Sequence, residues 1–430
     1  MSPRQCPALL IAAPASGQGK TSFTAALARA HRRQGRRVRV FKTGPDFLDP
    51  QLLARASGAP VGNLDLWMGG EREVCAQLYA AAGEADLILV EGMMGLFDGT
   101  PSAADLAQTL GLPVLAVIDA NALAQTFGAI ALGLARYRPA LDFAGVAAVR
   151  VASAWHARLL RDSLPAPIPL CGVLPECAAG RLPERHLGLL PASEIDDLDA
   201  RIDALADALC TEGLPALPAP VRFEPACLEP PPPQLRGRRI AVAADAAFCF
   251  AYAANRDLLR AAGAELIDFS PLAGDALPAC DAVWLPGGYP ELHLEALKTR
   301  TDLWAALHAH VEADRPLLAE CGGLLALLTR LENDAGQGAT LAGLIPGSAR
   351  LGNRPAGLGL QQVDLPEGRL RGHSFHFARA DIGLTPIAHA LDPNGAPTAE
   401  PVYRRRRLTA SFVHLYFPSN PGAACALFKE

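Results

Sequence analysis

Two proline runs, Leu214-Pro-Ala-Leu-Pro-Ala-Pro220 and Glu229-Pro-Pro-Pro-Pro233, interrupt the 430-residue chain near its middle. Proline has no backbone donor and a fixed φ, so neither run belongs inside a helix or a central strand. Residues 214–235 therefore read as a stiff linker of polyproline type. Domains 1–213 and 236–430 must then each bury a core of their own. The length agrees, because a chain of this size exceeds what one core fills.

Each half alternates apolar strands with helical stretches. In the first half the strands are Ala8–Ala13, Val38–Phe41, Ala85–Val90, Val114–Ile118 and Val146–Val149, with a helix from Thr21 to Arg33. In the second they are Arg239–Ala243, Ala264–Phe269, Ala282–Leu285 and Pro316–Ala319. This alternation predicts an α/β fold with a doubly wound, mostly parallel sheet in each domain. After Leu344 the pattern is less regular, with short β-like pieces such as Leu408–Phe412. Half the residues are hydrophobic and 19% are charged, which is ample for buried parallel strands. The run Arg404–Arg407 reads as a solvated turn or strand edge.

Composition also excludes function classes. A formal net charge of −5 argues against a nucleic-acid binder. No apolar run reaches the ~18 residues of a membrane span. The apolar stretch before Ala13 leads straight into a glycine-rich loop, so it reads as a strand rather than a signal peptide. The ten cysteines contain no CxxC pair and suggest neither a zinc site nor a disulfide framework. A reducing, cytoplasmic setting follows.

The first candidate site is the loop Ala13-Pro-Ala-Ser-Gly-Gln-Gly-Lys-Thr21, between a strand and a helix. That is the setting a phosphate-binding P-loop requires. Gly17 and Gly19 let the backbone approach phosphate oxygens, and Ser16, Gln18 and Ser22 flank them. Lys20 would reach the β and γ phosphates of ATP, and the Thr21 hydroxyl would bind Mg²⁺. Pro14 stands where the usual first glycine would be. Lysine is scarce, occurring only as Lys20, Lys42, Lys298 and Lys429, and arginine does not easily replace a compact ammonium in such a loop. Mg²⁺ needs hard oxygen ligands, and Asp46 and Glu91 follow predicted strands at the edge where parallel sheets collect ligands. Glu91 directly follows four apolar residues, where an unpaired carboxylate is costly. Lys42, Asp49 and Asp98 are placed with substrate activation rather than the metal.

The second candidate is Arg315-Pro-Leu-Leu-Ala-Glu-Cys-Gly-Gly-Leu324, a strand, a sharp turn and a helix. Such an elbow presents a nucleophile, here Cys321, and the helix N-terminus is expected to lower its pKa. The other nine cysteines read as small buried hydrophobes. A thiol needs a base. His414 fits best, with His373 and His376 as rivals. The loop Leu285-Pro-Gly-Gly-Tyr-Pro-Glu291 offers amides, that of Gly288 with that of Gly322, for an oxyanion hole.

Cys321 in its turn, the Pro-Gly-Gly-Tyr-Pro-Glu loop and Ser411-Phe-Val-His-Leu-Tyr416 resemble class I glutamine amidotransferase domains of the cobyric-acid type. The first half is similar to P-loop domains of the dethiobiotin-synthetase type. Five further segments occur in order: Phe41-Lys-Thr-Gly-Pro-Asp-Phe-Leu-Asp-Pro50, Asn63-Leu-Asp-Leu-Trp-Met68, Glu91-Gly-Met-Met-Gly-Leu-Phe-Asp-Gly99, Arg185-His-Leu-Gly-Leu189 and Arg371-Gly-His-Ser-Phe-His376. Together they resemble the cobyrinic acid a,c-diamide synthase family over nearly the whole chain.

The resemblance implies a P-loop NTPase-like first domain and a flavodoxin-like second one. It implies ATP- and glutamine-dependent amidation of the a and c carboxylates of cobyrinic or hydrogenobyrinic acid in cobalamin biosynthesis, through an acyl phosphate. It favours His414 as base and Glu91 as metal ligand, and it leaves a homodimer open. Many class I domains carry glutamate two residues after the histidine, where this chain has Tyr416, so no triad is inferred. The alternative within the chemistry is another tetrapyrrole, as in cobyric acid synthase or a nickel-sirohydrochlorin a,c-diamide synthase. A non-enzymatic P-loop switch fits less well, because Ala15 stands where such proteins often carry a second lysine. Intact Cys321 and His414 argue against an inactive glutaminase relic.

Overall fold

The strand that opens the chain, β1 (Arg4–Ala12), sets the architecture of the first half. Its last five residues are all buried, and the strands beside it are equally apolar. Such runs suit a parallel sheet covered on both faces. The others are β2 (Val38–Thr43), β3 (Gly62–Leu64), β4 (Leu87–Glu91), β5 (Val114–Asp119), β6 (Phe143–Val151) and β7 (Leu170–Pro175). Their order is β3-β2-β4-β1-β5-β6-β7, and every adjacent pair is parallel. Helix α1 (Lys20–Arg33) follows the glycine loop, and α2 (Asp49–Ser57) follows β2. The chain runs outward in both directions from β1, so the loop after β1 lies at a switch in strand order, where ligands gather at the carboxyl edge.

The computed structural model describes residues 2–185 and 188–429. His186 and Leu187, of the Arg185–Leu189 segment, lie outside these. Two compact units are present, Met1–Leu228 and Glu229–Glu430. The stretch 214–235 is not a spacer throughout. Pro220–Phe223 forms β8, antiparallel to the start of β1, with Arg4 opposite Phe223 and Pro7 opposite Pro220. Proline is tolerated at a strand's first residue. Phe223 also gains by burial in the apolar cluster that holds Leu78, Tyr79 and Leu141.

In the second unit five parallel strands come first: β9 (Arg239–Ala243), β10 (Glu265–Phe269), β11 (Ala282–Leu285), β12 (Leu317–Glu320) and β13 (Leu408–Ser411). Their order is β10-β9-β11-β12-β13, the flavodoxin-like 2-1-3-4-5 arrangement. Beyond β13 the sheet continues antiparallel through Pro397–Arg405, Ala388–Leu391, Gly357–Leu365 and Gly368–His376. It ends on β14 (His414–Tyr416). Strands Leu328–Glu332, Gly338–Thr340, Ile345–Leu351 and Ala378–Ile382 form a separate sheet. The arginine run turns between Pro397–Arg405 and β13, where Arg404 pairs with Glu367, and Arg405 and Arg406 pair with Glu312.

Truncating a buried aromatic costs its transfer energy plus the cavity left behind. Phe223→Ala is expected to destabilise the first unit by about 3 kcal/mol, read as a shift of its urea transition. An unshifted transition would show that β8 adds nothing to this core.

Candidate active sites

The first unit gathers its charged groups by strand register. Lys42 and Glu91 are neighbours across β2 and β4, and Glu91 is also paired with Ile11 of β1. Glu91 is 0% exposed, yet it ends a strand. A buried carboxylate needs partners. Its Oε1 accepts from Lys42 Nζ at 2.7 Å and from the Thr21 hydroxyl at 2.9 Å. Lys42 Nζ also donates to Asp49 Oδ2 at 2.5 Å, and Thr21 Oγ1 lies 3.3 Å from the same oxygen. Burial alone would lower the Lys42 pKa, but Asp49, Glu91 and Asp46 hold it well above its usual value.

Asp46 and Asp49 take different places. Asp46 Oδ1 accepts the amides of Leu48 and Asp49, while its Oδ2 lies 3.5 Å from Lys42. Burial and then the charge of Asp49 push Asp46 up to about 7. Asp49, expected nearer the substrate than the metal, lies against both Thr21 and Lys42. Asp98 accepts the Gly95 amide at 3.0 Å and so holds the turn after Met94.

The glycine loop is open. Ala15, Ser16 and Gly17 are exposed, with Gln18, Thr21 and Ser22 half-buried. Gly17 and Gly19 have φ of 73° and 77°, a region that side chains disfavour. Gln18 accepts the Asp119 amide at 3.2 Å. Lys20 Nζ donates to the carbonyls of Ala15 and Met94 at 3.1 and 2.6 Å. It is thus curled over the loop that its own strand and helix create.

In the second unit, Cys321 has φ 45° and ψ −105°, a strained backbone for a residue with a side chain. The strain belongs to the turn between β12 and the short helix Gly322–Leu327. Glycine is needed there because the loop after β11 presses close. A Cβ on Gly322 would stand 2.8 Å from the Gly288 nitrogen and 2.9 Å from Pro290 Cδ. A Cβ on Gly287 would stand 2.2 Å from His414 Cε1. The Gly287–Gly288 backbone therefore touches the His414 ring on one side and the Cys321–Gly322 turn on the other.

The three histidines separate clearly. His414 stacks on His373, its partner across the strands, at 5.0 Å between ring centroids. His373 Nδ1 pairs with the Tyr252 hydroxyl at 2.8 Å. His376 has one ring nitrogen 3.0 Å from Glu400 and the other 3.0 Å from the Ala378 carbonyl. The His414 ring lies against Gly287. Burial, then the charges of His373 and His376, hold it well below the usual histidine range.

One expectation is reversed. Burial, and next the charge of Glu291, push the Cys321 thiol up rather than down. The Gly322 amide works in the opposite direction but is outweighed. Burial thus shifts both the Cys321 thiol and the His414 imidazole towards their neutral forms.

Two further buried polar groups, Glu320 and Asn63, belong to these sites. Glu320 is 2% exposed, accepting Leu415 N–H at 2.7 Å and Trp284 Nε1–H at 2.8 Å. Burial pushes it up to about 8. Asn63 Nδ2 donates to the carbonyls of Gly44 and Asp46, fixing the turn that carries the acids. Glu320 had a sequence signal, a carboxylate directly after an apolar strand. Asn63 had none beyond its place in the family segment.

Comparison with known proteins agrees with this anatomy. Residues 9–190 match the CobQ/CobB/MinD/ParA nucleotide binding domain, and residues 239–422 match the CobB/CobQ-like glutamine amidotransferase domain. The chain is 60% identical over 427 residues to hydrogenobyrinate a,c-diamide synthase of Pseudomonas aeruginosa, covering 99% of this chain and 98% of that one. It is 58% identical to the protein of the same name from Stutzerimonas stutzeri, covering the whole of both. Identity to cobyrinate a,c-diamide synthase of Herminiimonas arsenicoxydans is 45%, covering 98% and 96%. The two-domain build defines a nucleotide-using, glutamine-dependent ligase. The chain belongs to the a,c-diamide synthase family of cobalamin biosynthesis. Among the described residues, no helix is long and apolar enough to cross a membrane.

Burial, then the charge of Lys42, lowers the Lys20 pKa to about 8. Phosphate oxygens beside Nζ favour the charged form. Nucleotide binding at pH 8 should therefore take up protons, and affinity should fall as pH rises through that value. Calorimetric titration of ATP in buffers of different ionisation enthalpy measures the uptake. Heats independent of buffer at pH 8 would contradict it.

Proposed function

We propose that this chain converts the a and c side-chain carboxylates of hydrogenobyrinic acid to carboxamides, with ATP and L-glutamine as co-substrates. One observation carries the reading. A strained cysteine turn packed on the loop that touches His414 shares a chain with a P-loop whose threonine meets a buried acid cluster. A carboxylate is a poor electrophile, so amidation needs a nucleotide to activate it and a source of ammonia. The two relatives of higher identity carry the cobalt-free substrate in their names, which favours hydrogenobyrinic over cobyrinic acid.

In the domain proposed to be the glutaminase, residues 236–430, Cys321 Sγ attacks the side-chain amide carbon of glutamine. His414 takes the thiol proton and passes it to the departing ammonia. The amides of Gly288 and Gly322 receive the developing oxyanion. Water then cleaves the thioester, releasing glutamate.

In the domain proposed to be the synthetase, residues 1–213, Ser16 to Ser22 bind the ATP phosphates. Lys20 neutralises charge on the moving phosphoryl group. A substrate carboxylate oxygen attacks the γ-phosphorus, ADP leaves, and ammonia displaces phosphate from the acyl carbon. Lys42, Asp49 and Asp98 orient the substrate side of this reaction.

The acid cluster fits Mg²⁺. Glu91 Oε2 is buried with no hydrogen-bond partner among the described residues, and Thr21 adds a hard oxygen beside it. Among the described residues, no group of three or more His, Cys, Asp and Glu side chains is placed to hold a metal ion. Mg²⁺ is usually held by one or two carboxylates and completed by phosphates and water. Thr21, Glu91 and Asp46 would hold the ion, which when bound supplies charge neutralisation on the phosphates.

Cys321→Ala should abolish amide formation from glutamine while leaving it intact with added ammonia. Loss of both in a folded variant contradicts the division of roles. Glu91→Gln should block product from either nitrogen source, as measured by mass spectrometry of the corrinoid. Near-normal rates would remove Glu91 from the activating site.

A further inference from the structure

Glu320 and Cys321 are consecutive, and between them they hold both ends of the segment that carries His414. The Cys321 amide donates to the Ser411 carbonyl at 2.8 Å. Glu320 Oε1 accepts the Leu415 amide at 2.7 Å. The Leu415 carbonyl is gripped in turn by Asn255 Nδ2 at 2.7 Å, and Asn255 Oδ1 accepts the Phe417 amide at 2.7 Å. The other Glu320 oxygen is fixed by the Trp284 indole at 2.8 Å. Glu320, Asn255, Trp284 and His414 are all buried, so a misplaced polar atom here finds no water to replace its partner.

We propose that Glu320 is the positioning residue for the His414 base, fixing the imidazole relative to the Cys321 thiol through the backbone. Glu320 acts on the neighbouring amide rather than on the ring. The inference rests on the assignment of Cys321 and His414 given above.

A glutamine side chain keeps the size of Glu320 but has one acceptor for two donors. In Glu320→Gln its amide nitrogen must face either Trp284 N–H or Leu415 N–H. Removing the indole donor with Trp284→Phe lets the remaining oxygen return to Leu415. The test uses the full-length enzyme with ATP, Mg²⁺ and hydrogenobyrinic acid, assaying glutaminase turnover, ammonia-dependent amidation and the unfolding midpoint.

Glu320→Gln should lower glutaminase kcat by about 10- to 100-fold, as small displacements of reacting groups do. KM for glutamine and ammonia-dependent amidation should stay near wild type. Trp284→Phe alone should retain turnover, and Glu320→Gln combined with Trp284→Phe should recover most of it. Unchanged kcat in Glu320→Gln would overturn the proposal. So would a double variant no better than the single one, or a kcat loss matched by an equal loss of thermal stability. Normal glutaminase in Cys321→Ala or His414→Ala would instead sink the site assignment beneath it.

Discussion

A carboxylate that ends a buried parallel strand must be paired, and in both units that requirement organises the site. Glu91 ends β4 with no exposure and is met by Lys42 and Thr21. Glu320 ends β12 and is met by two N–H donors. Unpaired, either group would cost several kcal/mol. Each pairing reaches across to a neighbouring element, the start of α1 at Thr21 in one case and the His414–Tyr416 strand in the other. Burying each acid thus also fixes the neighbouring element in place.

The two sites use charge in opposite ways. Around Glu91 charge is dense: Lys42 lies against Asp49, Glu91 and Asp46, and it stays protonated despite its burial. Around Cys321 burial suppresses charge. Thiol and imidazole are both shifted towards their neutral forms, and the nearby carboxylate of Glu291 is pushed up to about 7. In a site this dry, the interactions among its polar groups are little screened.

Much of this was legible in the amino-acid sequence, because strand-ending motifs report themselves. The apolar run before Ala13 with the glycines behind it fixed the loop, and Pro-Leu-Leu-Ala before Glu320-Cys-Gly-Gly fixed the turn. What escaped was long-range or geometric. β8 escaped because its proline-rich neighbourhood resembles a spacer, and only its fit against β1 makes it a strand. The antiparallel extension after Leu344 showed only as short β-like pieces, because its strands are half-exposed and lack one clean alternation. The expected depression of the Cys321 pKa failed because a six-residue helix cannot outweigh complete burial beside an acid. Glu320 escaped although the argument made for Glu91 applied to it unchanged.

The account stands on one transfer, in which nitrogen from the glutamine side chain ends on a carboxylate that ATP has activated. The direct measurement supplies glutamine labelled with ¹⁵N at the side-chain amide, with hydrogenobyrinic acid, ATP and Mg²⁺. Mass spectrometry then counts label in the corrinoid. The account predicts two labelled carboxamides per molecule, formed only when ATP is present. A product with unlabelled amides, or full conversion without ATP, would contradict it.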